Sequence, residues 1–198
     1  MRVLMLAWLA VICVVASPAA RQTAPGRPTV WVLSTGGTIA GQGSSTTDLS
    51  NYKPGAILGE QLVRAVPQIA ELANVKVEQV VNIPSHDLTL ANWLTLSKRI
   101  QRIIADDPAV AGFVITHGTN TLEETAYFLN LTVKSDKPVV LVGSMRPATA
   151  ISADGPLNLL NAVKTAMAPE AKGKGTLIVM NDEINGARDW RTNFKAVV

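Results

Sequence analysis

The feature that most constrains the fold is a regular alternation of two apolar patterns. Five short runs rich in valine and isoleucine recur at residues 30–34, 75–83, 112–116, 138–142 and 176–180. Most of these runs are continuously apolar, which is typical of parallel strands covered on both faces. Between them, apolar residues recur with helical spacing at residues 61–73 (with a break expected at Pro67), 90–104, 121–133 and 154–167. The alternation predicts an α/β fold, a doubly wound, mainly parallel sheet with flanking helices.

The first 20 residues form a segment of their own. Seventeen of them are hydrophobic and only Arg2 is charged. A basic start, an apolar run and a small-residue exit predict a secretory signal peptide, and the run is shorter than the about 20 residues of a membrane-spanning helix. An uncleaved N-terminal anchor is the alternative. We expect residues 21–28 to be a linker, residues 29–198 to form one domain, and the protein to be periplasmic or secreted.

Composition excludes several classes of protein. The chain has 198 residues, of which 47% are hydrophobic and 17% charged, so it is not a disordered tail. Its one cysteine, Cys13, lies in the predicted leader, so disulfides, cysteine zinc sites and cysteine nucleophiles are not expected in the mature chain. The net charge of +3 is scattered along the chain. We therefore expect neither nucleic acid nor, after leader removal, a membrane as a partner.

Polar residues follow each predicted strand. Ligands bind open parallel sheets at the carboxyl ends of the strands, so these residues are the candidates for a site. In chain order they are Ser34-Thr35-Gly36-Gly37-Thr38, Pro84-Ser85-His86-Asp87, His117-Gly118-Thr119-Asn120-Thr121, Gly143-Ser144-Met145-Arg146-Pro147 and Asn181-Asp182-Glu183. Hydroxyls, amides and carboxylates thus gather at one edge of the sheet. This pattern predicts a site for a small polar substrate.

The glycine pair after the first strand allows several interpretations. Its spacing matches neither G-x-G-x-x-G nor the Gly-Lys-Ser/Thr of a phosphate-binding loop, which disfavours a nucleotide. Thr38 could instead be a hydroxyl nucleophile held by the glycine turn, provided that a base takes its proton. A purely structural Gly-Gly turn is the alternative, and residue spacing does not decide between the two.

The two histidines, His86 and His117, give little support for other enzyme classes. A zinc site from two distant histidines has little support, and neither H-E-x-x-H nor the serine-hydrolase G-x-S-x-G occurs. We expect His117 to structure its loop rather than to act as a base. Asp87 and Asp182 could each orient a base or cap a helix, and both roles stay open.

Two longer segments carry a family resemblance. Residues 32–40 (VLSTGGTIA) and 114–129 (VITHGTNTLEETAYFL) resemble the two signature segments of bacterial type II L-asparaginases, which are exported enzymes. Shorter matches extend the resemblance from about residue 29 to residue 189. It implies an asparaginase-like N-terminal α/β domain and hydrolysis of L-asparagine to L-aspartate and ammonia, with L-glutamine as a further candidate substrate. It implies no metal and no organic cofactor.

The resemblance also assigns roles to single residues. It implies that Thr38 is the nucleophile, that Tyr52 on a mobile loop helps to activate it, and that Thr119 is a second catalytic threonine. Ser85 and His86 fall where the family holds the substrate's α-carboxylate and neighbouring groups. The implied substrate-binding residues are Ser85, His86, Asn120 and Gly118. The backbone around Gly118 is a candidate for binding the oxyanion that forms during amide hydrolysis.

The sequence departs from the family pattern in three ways. Asn120 stands where the family has an aspartate for the α-amino group, which should weaken binding of the substrate ammonium. Ungapped alignment places Thr192 at the family's lysine, Lys195 fits only after a shift of three residues, and we assign no lysine. Family members are longer, with a smaller C-terminal domain that is missing here, and a full-length member is expected to be a homotetramer. The alternative function is therefore a truncated or inactive chain that only binds a small amino acid.

Overall fold

The computed structural model describes residues 26–189. The predicted signal peptide and most of the predicted linker lie outside these residues, as do Thr192 and Lys195. Among the residues that are described, no helix is both long enough and apolar enough to cross a membrane.

Eight strands and five α-helices make up the described part. The strands are β1 (Thr29–Gly36), β2 (Gln42–Gly43), β3 (Tyr52–Lys53), β4 (Asn74–Ile83), β5 (Gly112–Thr116), β6 (Val139–Val142), β7 (Thr176–Met180) and β8 (Glu183–Gly186). The helices are α1 (Gly59–Arg64), α2 (Gln68–Leu72), α3 (Leu90–Asp106), α4 (Leu122–Thr132) and α5 (Gly155–Met167). All five predicted strands are present, and the helical pattern of residues 61–73 is split at Pro67 into α1 and α2.

Six strands form one sheet in the order β4-β1-β5-β6-β7-β8. The first five run parallel, and Val32 at the centre of β1 pairs with Val77 on one side and Val114 on the other. Only β8 is antiparallel, because it returns along β7 after a tight turn. The parallel order confirms the predicted α/β class and brings the carboxyl ends of five strands to one edge.

Apolar side chains pack on both faces of this sheet. One layer joins Val32, Val114 and Val140 to Leu159 of α5 and Ile69 of α2. The other layer joins neighbouring strand positions to α3 and α4 through Phe113, Ile115, Leu141, Ile100 and Leu129. Successive residues of β5 therefore enter opposite layers, as the pleat of a strand requires. Burial on both faces explains why the sequence shows continuous rather than alternating apolar runs.

Two elements were not predicted from the sequence. Strand β8 contributes a sixth strand, where we expected a polar loop after residue 180. Strands β2 and β3 form a small antiparallel hairpin, in which Gly43 pairs with Tyr52, within a segment that we expected to be a loop. The hairpin rises from the end of β1 and carries Tyr52 to the site.

Candidate active site

The site begins at the glycine turn that ends β1. Gly36 and Gly37 both have positive φ angles, 101° and 79°, in the region that favours glycine. A β-carbon on Gly37 would overlap the backbone nitrogen and Cα of Gly118, the residue that follows His117 at the end of β5. Only glycine fits at position 37, and its close approach joins the loops that follow two central strands.

Thr38 follows this turn directly and contacts Tyr52. It begins a short 3₁₀ turn, Thr38–Ala40, and is 8% exposed. Its Oγ1 lies 2.8 Å from the Tyr52 hydroxyl, and either oxygen can donate the hydrogen bond. The Tyr52 ring packs on Gly41, where a β-carbon would stand 2.7 Å from Tyr52 Cδ2. The structure thus brings together the predicted nucleophile and the residue predicted to activate it.

The hairpin that carries Tyr52 is tied to the segment after β6. The Gly43 amide donates to Thr149 Oγ1 at 2.9 Å, and the Ala148 amide donates to the Gly41 carbonyl at 3.0 Å. At the hairpin tip, the backbone amide of Asn51 and further donors bind the Asp48 carboxylate and lower its pKa. These bonds fix the base and the tip of the hairpin, so Tyr52 is held over Thr38.

Ser85 joins the site from the end of β4. It begins the 3₁₀ turn Ser85–Asp87 and is 3% exposed. A β-carbon on Gly118 would stand 2.7 Å from Ser85 Oγ, and Thr121 Oγ1 donates to the Ser85 carbonyl at 2.8 Å. The loops after β1, β4 and β5 therefore meet at Gly37, Gly118 and Ser85, which places two of the predicted binding residues in contact.

The remaining predicted residues lie at the same strand ends. Thr119 is half-buried beside the end of β6, where a β-carbon on Gly143 would stand 3.2 Å from Thr119 Cγ2. Asn120 is exposed just before α4. His86 is also exposed, with Nε2 3.8 Å from Asp87 Oδ1. His86 and Asn120 therefore present their side chains to solvent rather than to the packed centre of the site.

His117 is buried beneath the Gly118–Thr119 backbone. Its Nδ1 lies 2.6 Å from the Gly118 carbonyl oxygen, so Nδ1 carries the proton and donates. Burial lowers the pKa of His117 to about 4, against the opposing effect of that carbonyl. The ring is neutral at pH 7, and Nε2 has no hydrogen-bond partner among residues 26–189. These contacts agree with the expectation that His117 structures its loop.

Sequence reasoning missed a polar pair at the start of α5. The Asp154 carboxylate accepts hydrogen bonds from the backbone amides of Met145 and Arg146, at 2.8 and 2.9 Å. Asn158, one turn later, contacts the ends of both β6 and β7. The available sequence signal was an Asp and an Asn four residues apart at the start of a predicted helix.

The chemistry available at this edge is that of hydroxyl groups and backbone amides. Thr38, Tyr52, Thr119 and Ser85 supply hydroxyls from four different segments of the chain. Across residues 26–189, no three His, Cys, Asp or Glu side chains stand close enough together to hold a metal ion. A threonine paired with a tyrosine hydroxyl in a largely buried place fits nucleophilic attack on a carbonyl.

Comparisons with known proteins agree with the family resemblance of the sequence. Residues 29–195 match the family model described as "Asparaginase, N-terminal". The chain is 61% identical to L-asparaginase 2 of Bacillus subtilis over 161 residues, which are 81% of this chain and 43% of that protein. It is 57% identical to L-asparaginase 2 of Escherichia coli over 162 residues, 82% of this chain and 45% of that protein. It is 53% identical to a glutaminase-asparaginase of Pseudomonas fluorescens over 160 residues, 81% and 44% of the two chains.

A solved structure supports the same relationship. The crystal structure of a probable cytoplasmic L-asparaginase from Campylobacter jejuni superposes with a TM-score of 0.80 at 54% sequence identity, covering 82% of this chain and 49% of that one. The chain spans about half the length of the curated relatives that it matches. From the family match and these identities, the chain belongs to the asparaginase family and carries its N-terminal domain.

Proposed function

We propose that this chain is the catalytic N-terminal domain, residues 29–198, of an amidohydrolase that converts L-asparagine to L-aspartate and ammonia, with Thr38 as nucleophile. The observation that carries the proposal is the 2.8 Å contact between Thr38 Oγ1 and the Tyr52 hydroxyl at the buried end of β1. The names of the relatives support this activity, and the glutaminase-asparaginase among them supports L-glutamine as a second substrate.

The proposed reaction has two steps. Thr38 Oγ1 attacks the carbon of the substrate's side-chain amide, its proton passes to the Tyr52 oxygen, and the Tyr52 hydroxyl gives up its own proton for delivery to the amide nitrogen. The tetrahedral intermediate then expels ammonia, which takes up a proton as the C–N bond breaks, and leaves an aspartyl ester on Thr38. Water hydrolyses this ester and restores the hydroxyl. Thr119, on the facing loop, is the proposed proton shuttle for the departing ammonia.

The substrate is a zwitterion, so the site must bind both of its charged groups. We assign the α-carboxylate to Ser85 and His86, whose turn follows β4. The α-ammonium is assigned to Asn120, whose side-chain oxygen can accept a hydrogen bond but brings no negative charge. The backbone around Gly118 is assigned to the oxyanion, because it lies against the Gly37 turn that precedes Thr38.

Export and assembly form part of the same proposal for the whole protein. A predicted leader over residues 1–20 supports a periplasmic or secreted enzyme, and a relative from Haemophilus influenzae that is 53% identical is named a probable periplasmic L-asparaginase. The Campylobacter jejuni protein, by contrast, is named cytoplasmic. We propose a homotetramer for the full-length protein.

The proposal is tested by measuring ammonia release from L-asparagine and L-glutamine. The wild-type chain should release ammonia, and Thr38→Val, which keeps the side-chain shape but lacks the hydroxyl, should release none. Thr95→Val is the matched control, because the Thr95 hydroxyl donates to the Ala91 carbonyl of its own helix and the residue is exposed. Equal activity of wild type and Thr38→Val would refute Thr38 as nucleophile.

A binding measurement separates the alternative function. Asn120 in place of a carboxylate favours a chain that binds a small amino acid without turning it over. Calorimetry with L-asparagine and L-aspartate then decides the matter: heat of binding without ammonia release identifies a binding protein, whereas turnover rejects that alternative.

A further inference from the structure

The side chain of Asn158 connects the ends of two central strands. It is 2% exposed, and its Nδ2 donates to the Gly143 carbonyl after β6 at 3.1 Å. Its Oδ1 accepts a hydrogen bond from the Asn181 backbone amide after β7 at 3.0 Å. These partners fix the orientation of the side-chain amide, because a flipped amide would turn its oxygen towards the Gly143 carbonyl and its nitrogen towards the Asn181 amide.

Asp154 strengthens this connection from the preceding turn of α5. Asn158 Nδ2 also donates to Asp154 Oδ2 at 3.1 Å. The same carboxylate accepts from the Met145 and Arg146 amides, so it binds backbone amides of the loop after β6 rather than those of its own helix. The start of α5 therefore fixes the backbone from Gly143 to Arg146.

Gly143 in turn lies against the loop that carries Thr119. A β-carbon at Gly143 would stand 3.2 Å from both the His117 carbonyl oxygen and Thr119 Cγ2. A β-carbon would therefore fit at position 143 only if these neighbours moved by a few tenths of an ångström, so the Gly143 backbone packs tightly beside the Thr119 methyl group. A shift of Gly143 would therefore change the place available to Thr119.

We propose that Asn158 is a positioning residue, which holds Thr119 in place through the Gly143 carbonyl. Its effect on the reaction rests on the proposed function, whereas its effect on the loop does not. Asn158→Leu removes all three hydrogen bonds at similar volume and leaves the Gly143 carbonyl and the Asn181 amide without these partners. Displacement of a reacting group by about 1 Å can cost about 100-fold in rate.

Asn130→Leu is the matched control for this substitution. Asn130 Oδ1 accepts a hydrogen bond from the Thr176 amide at 3.1 Å, at the opposite end of β7. Both variants therefore lose an asparagine that binds the backbone beside the same strand, but only Asn158 lies on the side of the site. A purely structural role predicts similar behaviour of the two variants.

Two readouts on the full chain test the proposal at a temperature where both variants are folded. Amide hydrogen exchange at residues 117–121 should be at least about tenfold faster in Asn158→Leu and unchanged in Asn130→Leu. The kcat for L-asparagine should fall about 100-fold in Asn158→Leu with KM close to that of wild type, and should be retained in Asn130→Leu. Unchanged exchange at residues 117–121 would overturn the proposal, whether or not the wild type releases ammonia.

A double variant tests whether the effect passes through Thr119. Thr119→Ser keeps the hydroxyl but removes the Cγ2 that faces Gly143. Adding Asn158→Leu to Thr119→Ser should therefore lower kcat little below that of Thr119→Ser alone. Fully additive losses would contradict the proposed route. If Asn158→Leu does not fold, Gly143→Ala takes its place, because the new methyl group presses on Thr119 Cγ2 while Asn158 stays intact. Unchanged kcat and unchanged exchange at residues 117–121 in Gly143→Ala would then refute the proposal. Absence of ammonia release by the wild type refutes only the proposed function.

Discussion

Replacing Tyr52 by phenylalanine separates a catalytic hydroxyl from a structural one. The variant keeps the ring that packs on Gly41 and removes only the oxygen that lies 2.8 Å from Thr38 Oγ1. A hydrogen bond that merely holds the hairpin contributes about 0.5–1.5 kcal/mol, or about 2- to 13-fold. A group that transfers a proton in the transition state contributes about 10²–10⁴-fold. The two roles therefore predict losses of different size.

We expect kcat for L-asparagine to fall at least about 100-fold in Tyr52→Phe, with a small change in KM. Steady-state ammonia release gives both constants, and a thermal melt confirms that the variant is folded. The matched control is Tyr127→Phe, since Tyr127 is the chain's other tyrosine and lies 48% exposed on α4. A loss of no more than about 13-fold in Tyr52→Phe would refute the proton-transfer role and leave Tyr52 as a structural support of the hairpin.

Three further substitutions test other parts of the account. Gly37→Ala should lower the free energy of unfolding by at least about 2 kcal/mol in a denaturant titration, because the new methyl group overlaps Gly118 and a positive φ costs a further about 1–2 kcal/mol. Gly173→Ala is the control: its φ is 69° but the space around it is open, so it should show the cost of the positive φ alone. For His117, the unfolded chain takes up a proton near pH 6.5 and the folded chain only near pH 4, so stability should fall by about 3 kcal/mol as the pH drops through this window. Denaturant titrations across that range should show this slope reduced in His117→Gln; an equal slope would contradict the assignment. Asn120→Asp should lower the KM for L-asparagine about fivefold by giving the α-ammonium a charged partner, and an unchanged KM would place the ammonium elsewhere.

The parallel strands were predictable from the sequence because strands that are buried on both faces consist almost entirely of apolar residues. Val114 faces one helical layer while Phe113 and Ile115 face the other, so a run without polar residues is what a covered strand requires. Strand β8 lacks that signal, since its first two residues are exposed and its last two are only half-buried. The turn before β8 did carry a sequence signal. Asn181 and Asp182 both have positive φ angles, 52° and 62°, and such residue pairs favour tight hairpin turns.

The site was predictable in its composition and not in its contacts. Residue types and family resemblance pointed to Thr38 and Tyr52. Their contact, however, depends on a hairpin whose strands have two residues each, and this hairpin is held by Thr149, more than 90 residues away in sequence. Asn158 escaped notice for the same reason, because its partners Gly143 and Asn181 come from loops that only the sheet order brings together. Periodic patterns report burial, whereas such long-range hydrogen bonds follow from tertiary packing.

The central claim is that Thr38 forms a covalent ester with the substrate. Rapid quenching of the wild-type chain in acid during turnover of L-asparagine, followed by peptide mass spectrometry, tests this directly. We expect an aspartyl ester on the peptide that contains Thr38, and no such adduct in Thr38→Val. An adduct on another residue, or turnover by Thr38→Val at the wild-type rate, would contradict it.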